Sequence, residues 1–251
     1  MITLATDFGS PYPAAMKGVV LRATDARLVD VAHDLPRQDV RAAAFWLREI
    51  LPWFPPAVHL AVVDPGVGTD RAALALRAGE HALVGPDNGV LFPAARALAD
   101  GADVEAFEVA HDDPASSTFH GRDVFAPAAA AVHETGVADI GSIDGVTPAG
   151  ETVDLRFPDP DLADDRAAGE VLVVDGFGNA VTNVPGEWLA GTETVAVDGE
   201  QAPVADSYAH VPAGERLVTV GSHGNAELAV NRGRGDDAFG VGPGDPVRFE
   251  R

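Results

Sequence analysis

The chain has 251 residues, of which 46% are apolar, so it can build one large core or two of ordinary size. Its 39 acidic and 17 basic residues give a formal net charge of −22, which argues against a nucleic-acid partner or an anionic membrane surface, because both require a basic face. The absence of cysteine excludes disulfides, thiolate catalysis and iron–sulfur clusters.

Two further features of the composition suggest where the protein works. No run is long enough for a membrane span, and the first apolar run is too short for a signal peptide, so we expect a cytoplasmic protein. All the basic residues except Lys17 are arginines, and the acidic residues are spread along the whole chain. This pattern predicts a halophilic protein adapted to a high-salt cytoplasm. Attraction of a cationic substrate is the alternative, but at molar salt the Debye length is roughly 3 Å and screens such steering.

The N-terminal part alternates strand and helix patterns. The sequence predicts a strand ending at Asp7, a helix over 14–24, a strand over 27–31, a helix over 40–51 and a strand from 57. This βαβ order implies a parallel or mixed sheet. Asp7 then lies at the carboxyl end of a strand, where open α/β sheets bind ligands; a helix cap or turn is the alternative.

The strand from residue 57 leads into the turn DPGVGTDR at 64–71. Pro65 fixes one backbone angle, while Gly66 and Gly68 allow positive φ and close backbone approach. The turn therefore presents the Asp64 carboxylate and, seven residues later, the Arg71 guanidinium. The alternative to a functional site is that this turn is only a tight connection between two strands.

Short strands are predicted next over 73–76 and 82–84, then a turn at 85–89, a helix over 92–98 and a strand over 104–109. The segment SSTFHGRDVFAP follows and opens an alanine-rich helix that runs to about residue 134. His120 lies just ahead of this helix, near its free backbone donors, although a lone histidine is more often structural. We expect Asp123 to cap the helix and Arg122 to form an ion pair.

The composition changes to Pro, Asp and Gly over 147–165, which indicates a domain boundary. We predict an α/β domain over 1–156 with a mostly parallel central sheet flanked by helices, a linker over 157–168, and a small all-β barrel over 169–251. In the last part, short apolar runs are separated by the turns DGFGN at 175–179 and SHGN at 222–225. For both turns, the alternative to a role in a functional site is that they are ordinary hairpin turns.

Six blocks in the chain resemble one known family. They lie, in order, at 6–9 with 16–19, 62–71, 85–89, 117–127, 175–179 and 227–231. Together they are similar to the S-adenosylmethionine hydroxide adenosyltransferases, which hydrolyse S-adenosylmethionine to adenosine and are related to the 5′-fluorinases and chlorinases. The resemblance implies an N-terminal α/β domain, a C-terminal β-barrel and no cofactor.

The resemblance also implies how the substrate is held. Asp7 would bind the ribose hydroxyls, and Asp175 the methionine amino group. Phe177 and Asn179 would contact the adenine, and Ser222 the methionine carboxylate. It implies a homotrimer, in which the N-terminal domain of one subunit and the C-terminal domain of its neighbour form the active site.

For catalysis, the resemblance implies that Asp64, Arg71 and His120 position and polarise a water. The halogenases carry tyrosines where Asp64 and His120 stand, and an arginine where this chain has His223, so water is preferred over halide. Attack at the 5′ carbon expels methionine. Because the leaving group departs from a sulfonium, its departure needs no metal. Whether Asp64 or His120 takes the proton stays open.

Three other functions remain open. One is a non-catalytic sensor of S-adenosylmethionine or adenosine, and another is a 5′-halogenase. The third is a metal-dependent hydrolase, although the chain has no His-x-x-x-His or comparable spacing. Its ligands would come from nitrogen and carboxylate side chains: His33, Asp34, His59, Asp64, His120 and Asp123.

Overall fold

The computed structural model describes residues 1–111 and 115–251. The chain divides into two compact units, Met1–Arg156 and Phe157–Arg251. Within the described residues, no helix has the length and apolar character needed to cross a bilayer. The first unit combines helices with a mixed sheet, and the second is built mainly from antiparallel strands.

The first unit is organised around a seven-stranded sheet in the order β2-β1-β3-β5-β4-β6-β7. Strands β1 and β3 are completely buried, as their unbroken apolar sequences predict. The strands are β1 (Ile2–Thr6), β2 (Leu28–Ala32), β3 (Val58–Val62), β4 (Ala73–Ala78), β5 (His81–Pro86), β6 (Val104–Val109) and β7 (Val146–Pro148).

The sheet is mixed rather than mostly parallel. Strands β2, β1, β3 and β5 pair in parallel, whereas β5, β4, β6 and β7 pair in antiparallel fashion. The change comes at the tight connection Gly79-Glu80 between β4 and β5, where Gly79 has a φ of +59°. A two-residue loop can join only antiparallel neighbours, so the prediction of a mostly parallel sheet was wrong for this half.

Helices cover the sheet close to their predicted positions. Helix α2 begins after Asp39, whose side chain caps it by accepting from Ala42 N at 2.9 Å. A π-helical turn, Gly121–Phe125, comes directly before α4, and 3₁₀ turns follow α2 and α4. The helices are α1 (Tyr12–Ala23), α2 (Val40–Ile50), α3 (Phe92–Ala99) and α4 (Ala126–Thr135).

The second unit is an eight-stranded sheet that nearly closes on itself. Its order is β12-β11-β15-β9-β10-β14-β13, with β8 paired to β9, and a bridge between Val204 and Val218 brings the two outer strands together. Its elements are β8 (Asp161–Leu162), β9 (Arg166–Val174), β10 (Ala180–Pro185), β11 (Thr194–Val197), β12 (Glu200–Pro203), β13 (Arg216–Val220), β14 (Asn225–Val230), β15 (Pro246–Glu250) and the short helix α5 (Gly235–Phe239).

The segment 157–168, predicted as a linker, contains β8 and the first residues of β9. Asp161 and Leu162 pair with Ala168 and Ala167, so a stretch that looks like a Pro- and Asp-rich connection is partly ordered as a hairpin. Its composition hides the strand because the pairing is made by the backbone alone. Strand β10 was also missed, since its polar residues interrupt the apolar pattern.

Candidate active site

The candidate site of the first unit lies where its parallel strands end. Asp7 follows β1 and Asp64 follows β3, and neighbouring parallel strands bring both carboxylates to one edge of the sheet. A cavity of about 510 Å³ opens there, with Asp7, Asp64 and His120 in its wall. Three aromatic rings that contact one another edge to face also line it: Phe8, Tyr12 and Phe119.

Arg71 joins the two other residues predicted to handle water. Its Nη2 donates to Asp64 Oδ2 at 2.7 Å and to His120 Nδ1 at 3.1 Å. Its Nη1 donates to the carbonyl of Ala72 at 2.7 Å, and its guanidinium lies 5.0 Å from the Phe125 ring centre. The side chains of Arg71 and Asp64 are 8% and 5% exposed, so this ion pair is almost completely shielded from solvent.

This geometry determines where the proton of His120 lies. A guanidinium carries only donors, so His120 Nδ1 must be the acceptor and Nε2 carries the hydrogen of the neutral ring. Asp64 Oδ1, in contrast, is buried and receives no hydrogen bond of normal geometry from any described residue. Arg71 Nε is likewise buried without a hydrogen-bond partner among the described residues, so the cluster has one unpartnered acceptor, on Asp64, one unpartnered guanidinium donor and one imidazole donor.

Burial shifts the pKa values of both titratable groups. It raises the pKa of Asp64 above its ordinary value, and the neighbouring Arg71 charge and hydrogen bond oppose that shift. Burial, followed by the charge of Arg71, lowers the pKa of His120. A carboxylate with a raised pKa is a better base, while His120 stays neutral near pH 7.

Two contacts place the turn 64–71 against its neighbours. Gly68 has a φ of +82°, and a Cβ there would lie 2.7 Å from the carbonyl oxygen of Ser117, three residues before His120. Asn88 Nδ2 donates to the Val63 carbonyl at 2.8 Å, next to Asp64. Sequence reasoning treated Asn88 only as part of a turn, and no local pattern could have shown that it holds the end of β3.

Asp7 is fixed by a neighbouring loop. Its Oδ2 accepts from Gln38 N at 2.7 Å, and Gln38 adopts the left-handed φ of +58°. Beside it, Thr6 Oγ1 lies 2.8 Å from His33 Nδ1, and Gly9 N donates to the His33 carbonyl at 2.8 Å. The carboxylate therefore faces the cavity from a turn held on both sides. The role of Gln38 was not predicted.

The residues predicted to bind the rest of the substrate lie in the second unit. Asp175 Oδ1 accepts from Phe177 N and Asn179 N, both at 2.8 Å, and its Oδ2 accepts from Asn179 Nδ2 at 3.0 Å. Most of its acceptor capacity therefore shapes the turn. Phe177 is 82% exposed at the tip of that turn, Asn179 is buried and Ser222 is exposed.

The residues of the metal-dependent alternative do not converge. His59 Nε2 lies 2.9 Å from His81 Nδ1 and its Nδ1 lies 2.8 Å from Thr3 Oγ1, at the opposite end of β3 from Asp64. Asp123 is ion-paired with Arg122 at 2.6 Å, as predicted. Among residues 1–111 and 115–251, no three metal-ligating side chains form a group suited to an ion.

Fold and site together define a class of protein: a mixed α/β unit with a polar ligand cavity at its strand ends, followed by a nearly closed β unit. Comparison with known proteins identifies the family. Residues 2–141 match the model of the SAM hydroxide adenosyltransferase N-terminal domain, and residues 169–248 match that of the C-terminal domain. The chain belongs to this family.

Relatives cover the chain almost from end to end. It is similar to the (R)-S-adenosyl-L-methionine hydrolases of Salinispora tropica (44% identity, 98% of this chain and 96% of the relative) and Thermus thermophilus (42%, 97% of each). Among solved structures, an uncharacterized conserved protein from Thermotoga maritima superposes with a TM-score of 0.84 at 32% identity, covering all of both chains. A conserved hypothetical protein from Thermus thermophilus gives 0.76 at 38% identity, covering 99% of this chain and 98% of its own.

Proposed function

We infer that this chain is an enzyme that hydrolyses S-adenosyl-L-methionine to adenosine and L-methionine. Membership of the family and the names of the relatives support the reaction. The observation that carries the mechanism is the buried cluster of Asp64, Arg71 and His120 beside the cavity. The relatives are named for the (R) epimer at sulfur, so we propose that epimer as the substrate.

We propose that Asp64, not His120, takes the proton. A water in the cavity beside the Asp64 carboxylate attacks the 5′ carbon, and the new C–O bond forms as the C–S bond breaks. The electron pair of that bond goes to sulfur, which leaves as the neutral thioether of methionine. The water's proton goes to the Asp64 carboxylate, while His120 Nε2–H orients the water.

In this mechanism Arg71 is a positioning residue. Its Nη2 is already used by Asp64 and His120, and its Nη1 by a carbonyl, so it fixes the two groups that meet the water. Its charge also keeps Asp64 ionised against the cost of burial. Orientation of this kind supplies rate enhancement without a metal, because effective molarities reach about 10⁵ to 10⁸ M.

The remaining predictions from the sequence belong to the same proposal. We propose that Asp7 binds the ribose, that Phe177 and Asn179 contact the adenine, and that Asp175 and Ser222 bind the amino and carboxylate groups of the methionine part. The division of these roles between domains at 1–156 and 169–251, and a homotrimer with active sites at subunit interfaces, follow from the resemblance. The cytoplasmic setting and the high-salt setting stay predictions, the second of them from the net charge of −22.

The test is to incubate the protein with (R)-S-adenosyl-L-methionine and a chelator, with and without chloride, and to separate the nucleosides by chromatography. We expect equal amounts of adenosine and methionine under both conditions. Binding without turnover would indicate a sensor, a 5′-halogenated nucleoside a halogenase, and activity abolished by the chelator a metal enzyme.

Asp64→Asn tests the assignment of the base. We expect kcat to fall by about 10² to 10⁴, the usual contribution of general base catalysis, with substrate binding retained. Asp154→Asn is the matched control, because that carboxylate is paired with Arg96 and Arg156 and none of these three residues lines the cavity. It should keep its activity, whereas a kcat for Asp64→Asn within tenfold of wild type would refute the role of Asp64.

A further inference from the structure

A set of polar contacts links two turns of the second unit. Asn179 Nδ2 donates to Asp175 Oδ2 at 3.0 Å and lies 3.4 Å from Tyr208 OH. Tyr208 donates its hydroxyl to Glu227 Oε1 at 2.6 Å. The other oxygen of this carboxylate, Oε2, lies 3.4 Å from His223 Nε2. We call Asn179, Tyr208, Glu227 and His223 the turn-linking network.

Glu227 lies at the centre of this network. It is 3% exposed in strand β14, with Ala226 and Leu228 on either side fully buried. Placing a carboxylate there is costly unless it is hydrogen-bonded, and an apolar residue would stabilise the strand at least as well. Tyr208 and His223 supply the partners, and burial together with Glu227 raises the pKa of Tyr208, so its hydroxyl remains a donor. Glu227 therefore contributes to the geometry of the two turns rather than to the stability of the strand.

The far end of the network holds the second turn. His223 Nδ1 accepts from Asn225 N at 3.3 Å, so the ring hydrogen is on Nε2 and points towards Glu227. The ring packs under the turn because Gly221 has no side chain: a Cβ there would lie 2.4 Å from the ring. Ser222, next to it, is exposed. One end of the network thus shapes the turn 175–179, and the other shapes the turn that presents Ser222.

We propose that Tyr208 and Glu227 are positioning residues that set the distance between these two turns, so that the nucleoside and methionine parts of the substrate bind cooperatively. The inference rests on the proposed function, in which Phe177 and Asn179 of the first turn contact the adenine and Asp175 the methionine amino group. Ser222 of the second turn binds the methionine carboxylate. Neither Tyr208 nor Glu227 touches the reacting atoms. Losing the link leaves both turns in place but lets their separation vary.

Tyr208→Phe tests this by removing one hydroxyl. We expect the KM for S-adenosylmethionine to rise about tenfold or more, as for loss of a hydrogen bond to a charged group, while kcat changes less than twofold. Glu227→Ala should behave in the same way. Glu227→Gln keeps an acceptor for Tyr208 and should raise KM less. The matched control is Thr182→Val, which removes another buried hydroxyl that donates to the Ala226 carbonyl at 2.8 Å but links no turns.

A second readout is calorimetric titration with adenosine and L-methionine, each alone and in the presence of the other. In the wild type each product should tighten binding of the other, and in Tyr208→Phe this coupling should disappear. An unchanged KM and unchanged coupling, even with a lower melting temperature, would overturn the proposal. So would a wild type that shows no coupling. A wild type that binds both products cooperatively without turning over substrate would refute the hydrolase and leave the network intact.

Discussion

Gly68→Ala is the most direct test of how the first unit assembles its site. Gly68 lies in the turn between Asp64 and Arg71, and its φ of +82° is unfavourable for alanine. The added Cβ would lie 2.7 Å from the Ser117 carbonyl oxygen, a backbone atom that cannot rotate away. The turn 64–71 and the loop that carries His120 must therefore move apart.

The size of this movement follows from the same contact. Ordinary van der Waals contact begins at 3.4 Å, so the two segments separate by about 0.7 Å. The bond from Arg71 Nη2 to His120 Nδ1, now 3.1 Å, would then exceed hydrogen-bonding distance. Misplacement of this order costs about 10²-fold in rate. We expect kcat for adenosine formation to fall by about that factor, with less effect on KM.

Gly101→Ala is the matched control for backbone strain. Gly101 has a φ of +85°, yet no atom lies within 4 Å of the Cβ position. Gly101→Ala should lose about 1 kcal/mol of stability when unfolding is measured with urea, and Gly68→Ala should lose more because its Cβ also meets the Ser117 carbonyl, but only Gly68→Ala should lose activity. If Gly68→Ala folds and turns over like Gly101→Ala, the Ser117 contact does not position His120.

Three further predictions follow from the charges of the first unit. In Arg71→Lys a single ammonium replaces the planar fork that serves both Asp64 and His120, and we expect kcat to fall at least 10²-fold; equal turnover would show that charge alone suffices. Because burial raises the pKa of Asp64 and the base must be ionised, kcat should decline with falling pH through a value above 3.8, and a midpoint at or below 3.8 would contradict this. Burial lowers the pKa of His59 from 6.5 to about 3. Between these two pH values only the unfolded chain takes up the proton of His59. The free energy of unfolding should therefore drop by up to about 1.4 kcal/mol per pH unit as the pH falls. Urea unfolding of His59→Gln should show a shallower slope, and equal slopes would contradict the prediction.

Local pattern was sufficient to place much of the first unit. The unbroken apolar run before Asp64 predicted a buried strand, and prolines and caps marked the helix ends. The order of apolar and polar residues could not show that β4 and β5 form a hairpin, because this order looks the same in parallel and antiparallel strands. The mixed sheet depends on the two-residue loop that contains Gly79.

The grouping of Asp64, Arg71 and His120 was predicted only through resemblance. Arg71 and His120 are 49 residues apart, and no periodicity in the chain indicates that a guanidinium nitrogen reaches that imidazole. The contacts that place them are also hidden, since Asn88 looks like an ordinary turn residue and Ser117 acts through its backbone. Gln38 had no signal in the sequence apart from its place in a loop, and Asn88 had only its place in the block 85–89.

The charge of the site provides a physical reason for water rather than halide. Asp64 and Arg71 form a buried pair with no net charge, and burial favours the neutral form of His120, so this cluster offers an anion no excess positive charge. Three of the five N–H donors of Arg71 serve Asp64, His120 and a carbonyl, and its buried Nε, like Asp64 Oδ1, has no hydrogen-bond partner among the described residues. A halide placed beside the Asp64 carboxylate would meet a group that donates no hydrogen bond to it, and the more distant Arg71 charge would offset only part of the repulsion. A water molecule can donate to the same carboxylate, so in the proposed mechanism the residue that takes the proton also selects the nucleophile.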